Sequence, residues 1–445
     1  MIEASVCFSA LVMMVTASMI GVGNTQAAVM RWLLSAIQAR KQQQVVTGVW
    51  AIAGAVAYGA IASRVTISGG EYVYLSRLMH PSVGFLAGWI SLISGFTVPI
   101  ASSAKLVARY GTPDGTGDVT LNGIASIVIL AAAALHAMKL HVGVASQNLV
   151  VVLKLITFGI LFTWAFGFAP SDAWHGGPLP EKSTAVLPES AAAWMTFAAS
   201  LIWISLSYTG FNAAIYVAGE SKTAEQNVPR SMLLATLVVM VIYLISNVIF
   251  LYAPDSREAT ADVKSMEGIA ALATRALGGS DYGKCPTSSH TVVRAQQRIF
   301  VAAGRAAVYS QMALDGVMPK VFLASGGVYR DQPILLQASL SILVVWIWPD
   351  LQTLIEYLNM TLAMCSSLAI ASIWFIPFTV PAEKIGTEIQ HNSVRWYEHT
   401  AAVIYILGTL IMAWLRSTAF ESSCTSRRAF IVGLFFYVVW IALKP

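Results

Sequence analysis

The chain has 445 residues, 57% apolar and 11% charged, with a formal net charge of +5 and a mean hydropathy of +0.68. About a quarter of the residues in a soluble domain are charged, so this composition excludes a water-soluble fold and points to an integral membrane protein. The positive charges are scattered over short loops and form no stripe, which argues against a nucleic-acid partner and leaves the lipid bilayer as the surrounding phase.

Apolar stretches near the roughly 20 residues that cross a bilayer as helix predict about twelve spans. They lie near 6–28, 45–63, 82–108, 119–138, 146–168, 191–219, 231–253, 292–312, 333–349, 351–380, 397–416 and 429–443. None shows the short alternation of a membrane barrel strand, so the expected fold class is all-α and polytopic. The first stretch is preceded by Glu3 and by no Lys or Arg, so it lacks the cationic start of a signal peptide and is read as a retained span. Gly111 to Gly115, Pro170 to Pro188 and Pro381 to Arg395 are the Pro- and Gly-containing linkers. The stretch Lys284 to Arg298 is polar where an apolar eighth helix is wanted. Lys and Arg are balanced between the two sets of loops, so charge bias does not orient the chain.

Cys7, Cys285, Cys365 and Cys424 are far apart and make no C-x-x-C pair, and His136 and His141 miss the i,i+4 spacing of a helical metal site. No metal and no cofactor are expected. The spans also hold no Ser/His, paired-carboxylate or His/Glu cluster, so neither an enzyme nor catalytic residues are expected.

Two spans are interrupted by glycine, at Met19-Ile20-Gly21-Val22-Gly23-Asn24 and at Ser207-Tyr208-Thr209-Gly210-Phe211-Asn212. A freed backbone is tolerated at membrane depth only where protein or a watery cavity surrounds it. Broken spans in corresponding positions of two halves are the best sequence pointer to a transporter's substrate site. Either glycine taken singly is equally compatible with close helix packing.

Several strings together resemble the bacterial amino-acid permeases of the amino acid–polyamine–organocation superfamily, nearest its L-type-like branch. Gly69-Gly70-Glu71-Tyr72-Val73-Tyr74-Leu75, His80-Pro81 and Gly84 to Trp89 are similar to the start of that family's third helix. Tyr208 to Ala214, Gly219-Glu220 and Asn227 to Arg230 are similar to its sixth helix and the loop that follows. Gly304-Arg305, Tyr309 and Asp315 to Lys320 are similar to the end of its eighth. The resemblance implies inverted five-helix repeats over 1–170 and 171–380, with two trailing helices over 381–445. It implies an amino-acid substrate held at the midplane and a multi-pass location in the plasma membrane.

The half-helix ends supply the matching chemistry, amides for a carboxylate and carbonyls for an ammonium. The candidate binding residues are therefore Ile20, Gly21, Val22, Gly23, Asn24, Tyr208, Thr209, Gly210, Phe211 and Asn212, with Phe211 either a gate or plain packing. The chain departs from the family at Val22, where a small hydroxyl residue is usual, and at Asn24-Thr25, where an apolar pair is usual.

Lys154 lies about 10 Å inside the fifth span at 1.5 Å per residue, and the resemblance places it facing the first break. It is the candidate coupling residue, either exchanging a proton or serving as a fixed cation; snorkelling to headgroups is the alternative. Glu356 with Asn359 is a weaker candidate for the translocation path, and Glu220, Lys222, Glu225 and Arg230 read as a solvated loop. The L-type-like resemblance implies neutral substrates carried by exchange, with uptake coupled to protons the close second, and the absence of an acidic residue within either break weakens the cationic reading. The rival reading is a permease-like protein that does not transport and serves as sensor or scaffold. The sequence leaves any accessory subunit or oligomer open.

Overall fold

The structure is a computed structural model that describes residues 7–22, 39–113, 115–137, 140–169, 174, 201, 204–205, 207–253, 277, 305–322, 332–348, 362–378 and 393–419. The described part is mostly helical. In chain order its helices are α1 (Phe8–Val22), α2 (Ala39–Ala62), α3 (Gly70–Leu78) and α4 (Pro81–Ile90). Next come α5 (Val98–Gly111), α6 (Asp118–Ala137), α7 (Leu140–Gly167) and α8 (Ala224–Tyr252). The last are α9 (Arg305–Leu314), α10 (Gln332–Ile347), α11 (362–371) and α12 (Trp396–Ala419).

Val45–Ala62, Pro81–Arg109 and Ala224–Ile249 are long and apolar enough to cross a membrane, and shorter apolar helices cover parts of five other predicted spans. Their outward faces carry Ile127, Leu130, Leu153, Ile156, Val241, Leu407 and Trp414 exposed, as lipid-facing helices do. The predicted spans at 292–312 and 351–380 are described only in part, and the twelfth, the polar stretch 284–298, Glu356 and Asn359 lie outside the described residues.

Two departures from the sequence reading have local causes. The third span is not uniform: α4 and α5 are joined by a π-helical stretch, Ser91–Thr97. Pro99, in the first turn of α5, has no N–H to continue the regular ladder, and the Thr97 hydroxyl satisfies the Leu92 carbonyl at 2.7 Å. The helix α8 starts earlier than the predicted 231, so Glu225 and Arg230 belong to its first turns and not to a loop. Glu220, Lys222 and Arg230 are nonetheless exposed.

Packing sorts the helices into two groups. The helix α8 packs against both α1 and α2, α7 packs against α1, and α12 packs against α2. In the second group α5, α6 and α10 close on one another around small residues, Ala101, Ala104, Ala108, Ala125 and Ala338, with Ile129 and Val345. Small side chains let helices approach closely where lipid provides no hydrophobic drive.

Candidate substrate site

The sixth span is broken where its glycine predicts. Residues 208–212 are turns, followed by a short 3-10 helix, Ala213–Glu220. Gly210 has φ +94°, a conformation that only glycine adopts without strain. It also sits hard against the first span, since a Cβ added there would lie 2.7 Å from Ser18 Cβ and 3.0 Å from the Ser18 carbonyl carbon. The break therefore needs glycine twice, for its backbone and for its contact with α1.

The first span differs from the expectation. Ile20, Gly21 and Val22 are helical in α1 and not unwound, with Ile20 buried, and Gly23 and Asn24 lie outside the described residues. An isolated glycine costs a helix only ~1 kcal/mol, and the packing of α7 and α8 on α1 offsets that. Near this helix end the Tyr243 hydroxyl of α8 lies 3.0 Å from the Met19 carbonyl and 3.2 Å from the Ser207 carbonyl. One proton is thus shared between the first and sixth spans at the edge of the break.

Around this bridge several buried polar atoms have no hydrogen-bond partner among the described residues: Tyr208 Oη, Ser246 Oγ and Asn247 Oδ1. Ser246 and Asn247 share a face with Tyr243, three and four residues on, and the Tyr208 ring meets the Tyr243 ring edge-on at 5.4 Å. Lys154 is 4% exposed on α7, with no ion pair among the described residues. Thr209 is half-buried at the turn. Phe211 packs away from the break, edge-on to Tyr58 at 5.7 Å and to Tyr405 at 5.8 Å, between α2 and α12.

Asn212 leads to a residue that the sequence reading quoted without assigning a role. Glu71, 2% exposed at the start of α3, accepts hydrogen bonds from Asn212 Nδ2 at 2.7 Å and Tyr58 Oη at 3.1 Å on one oxygen, and from Tyr216 Oη at 2.6 Å on the other. No ion pair of Glu71 occurs among the described residues. The Gly69-Gly70 pair builds this cradle, with φ of +133° and +63°. A Cβ on Gly70 would lie 2.2 Å from the Tyr216 ring, so glycine alone lets that ring lie down and its hydroxyl reach the carboxylate. No acidic residue falls within either break, but an acid distant in sequence is folded onto the second one. Its signal was a lone carboxylate after two glycines in an apolar stretch.

A second polar hub supports the third span. Gln337 Nε2 of α10 donates to Thr97 Oγ1 at 2.8 Å, and the Gln337 side-chain carbonyl accepts from the Tyr309 hydroxyl of α9. Phe96 joins the hubs, edge-on to Tyr216 at 5.4 Å and to Tyr309 at 6.2 Å.

These features can be set beside known proteins. The amino acid permease family model matches residues 7–442. The chain is 26% identical over 273 residues to the low-affinity putrescine importer PlaP of Escherichia coli (strain K12), covering 60% of this chain and 58% of that protein. It is 24% identical over 263 residues to the serine/threonine exchanger SteT of Bacillus subtilis (strain 168), covering 59% and 54%. It is 23% identical over 342 residues to large neutral amino acids transporter small subunit 2 of Rattus norvegicus, covering 71% and 59%. The chain spans less than two thirds of the length of these relatives. Since the family match runs over nearly the whole chain, a glycine-broken span seated on its neighbour among apolar helices is at home here: the chain belongs to the amino acid permease family and is a membrane protein.

Proposed function

We propose that this chain is a secondary transporter of amino acids, with neutral amino acids as the preferred class, working by alternating access in the plasma membrane. The observation that carries the reading is the turn at Gly210, pressed against Ser18 of α1 and bordered by the carbonyl groups that Tyr243 gathers. Main-chain amides and carbonyls at such a junction complement the carboxylate and ammonium of a zwitterion. Ile20 to Asn24 on the first span and Tyr208 to Asn212 on the sixth are the proposed binding segments. The proposed domain plan is two inverted repeats over 1–170 and 171–380, followed by 381–445. Lys154 is the proposed coupling residue, because a buried cation within a span marks an ion or proton path. Exchange and proton-coupled uptake are both compatible with it.

A cationic substrate is the second reading. It draws on Glu71, which is bonded to Asn212 at the break, and on a relative named as a putrescine importer. All of the hydrogen bonds that Glu71 accepts come from the protein's own donors, which favours the neutral class.

The test is uptake and counterflow in proteoliposomes with labelled neutral amino acids and putrescine, with and without a pH gradient. Saturable counterflow of neutral amino acids supports the first reading, and putrescine uptake alone supports the second. A folded protein that binds and moves neither is a sensor or scaffold.

A further inference from the structure

We infer that Glu71 is the catch of a gate: its carboxylate holds the segment Asn212–Glu220 onto Ser68–Glu71 and must release it once in every transport cycle. The inference rests on the transport reading above and adds the moving part.

Two of the hydrogen bonds to Glu71 come from the segment just past the break, through Asn212 and Tyr216, whereas Tyr58 anchors the carboxylate to α2. The same segment makes another tie nearby, where the Gly219 amide donates to Ser68 Oγ at 2.9 Å. The segment is not held by polar bonds alone: Ala214, Ile215 and Ala218 are buried in the core, and Phe96 meets the Tyr216 ring edge-on at 5.4 Å. Nor is the segment a robust helix: it is eight residues of 3-10 geometry, with Val217 off the helical region at φ −121° and ψ 21°. Short 3-10 stretches have poorer hydrogen bonds than α-helix and often mark hinges.

The carboxylate accepts short hydrogen bonds from both side-chain donors of the docked segment, Asn212 at 2.7 Å and Tyr216 at 2.6 Å, and from Tyr58 of α2 at 3.1 Å. Two ion pairs join neighbouring elements. Arg77 pairs with Asp315 at 2.6 Å, and Arg64 pairs with Glu398 at 2.9 Å. These join α3 to the end of α9 and α2 to α12. Neither reaches the segment past the break, whose polar ties include those to Glu71 and Ser68 beside the core packing of Ala214, Ile215 and Ala218.

The test begins with a parent in which Cys7, Cys285, Cys365 and Cys424 are replaced by alanine, into which Ser68→Cys and Gly219→Cys are introduced. A Cβ at 219 would lie 3.1 Å from Ser68 Oγ, so the pair is in reach of oxidation. Once the bond is formed, counterflow of labelled leucine in proteoliposomes is expected to fall by about tenfold or more, since a gate that cannot open limits turnover. Reductant should restore it.

Undiminished counterflow with the bond in place overturns the gate while the transport reading stands. A well-folded parent that moves no substrate overturns that reading and the gate with it. If the reduced double variant is inactive in an active parent, Ala218→Cys decides the matter. Position 218 is buried within the docked segment itself, and Glu71→Gln should speed its labelling by a membrane-impermeant thiol reagent about fivefold to tenfold. Equal labelling rates overturn the gate.

Discussion

Glu71 and Gln337 each gather buried donors and acceptors from several helices, and Phe96 stands between the two hubs. Their chemistry differs. An amide donates and accepts, so Gln337 meets the Thr97 hydroxyl with its nitrogen and Tyr309 with its oxygen, and no charge is buried. An ionised carboxylate only accepts, so Glu71 depends wholly on donors brought to it. The neutral hub ties the π-helical stretch before α5 to α9 and α10 and suits a fixed frame. The charged hub ties the segment past the break to α2 and α3, and suits a part that is held and let go.

Substitutions can break this comparison. The largest effect is expected from Glu71→Ala, which removes the acceptor of Asn212, Tyr216 and Tyr58, the last keeping the Ser366 carbonyl at 3.4 Å, at about 1–3 kcal/mol for a buried group left unpaired. Loss of monodisperse protein in detergent is the expected result, and wild-type thermal stability would remove the hub from the account. Gly210→Ala comes next, since it adds a strained backbone and a clash with Ser18, together about 2–4 kcal/mol. Its melting temperature and substrate binding should both fall.

Gln337→Leu should cost about 1–3 kcal/mol by removing the acceptor of the Tyr309 hydroxyl and a donor to Thr97, whose own hydroxyl keeps the Leu92 carbonyl, while counterflow per folded molecule stays close to normal. Equal damage to stability and turnover at both hubs would erase the distinction between frame and gate. Lys154→Met should have the smallest effect on stability, within about 1 kcal/mol or slightly stabilising, because it removes a buried charge with no ion-pair partner among the described residues. Its signature is expected in the pH dependence of uptake, and an unaltered pH profile would return Lys154 to a structural role.

The local features were legible in the sequence. Gly210 in an apolar stretch announced a break, and the depth of Lys154 in its span announced burial. What sequence could not supply was pairing over distance: Asn212 and Tyr216 are 141 and 145 residues from Glu71, and no spacing rule links them. The reading of Ile20 to Val22 as unwound failed because glycine permits a break without requiring one, and the helices packed around α1 favour continuity. The π-helical stretch Ser91–Thr97 was likewise hidden, because a one-residue change of register leaves the apolar pattern almost intact.

The central claim is that backbone groups at the sixth-span turn, against α1, hold the substrate. Equilibrium binding of a labelled neutral amino acid to purified protein, wild type beside Gly210→Ala at matched folding, tests it most directly. Saturable binding by the wild type that is lost in the variant is the predicted result; equal affinity in both, or no binding by well-folded wild type, contradicts it.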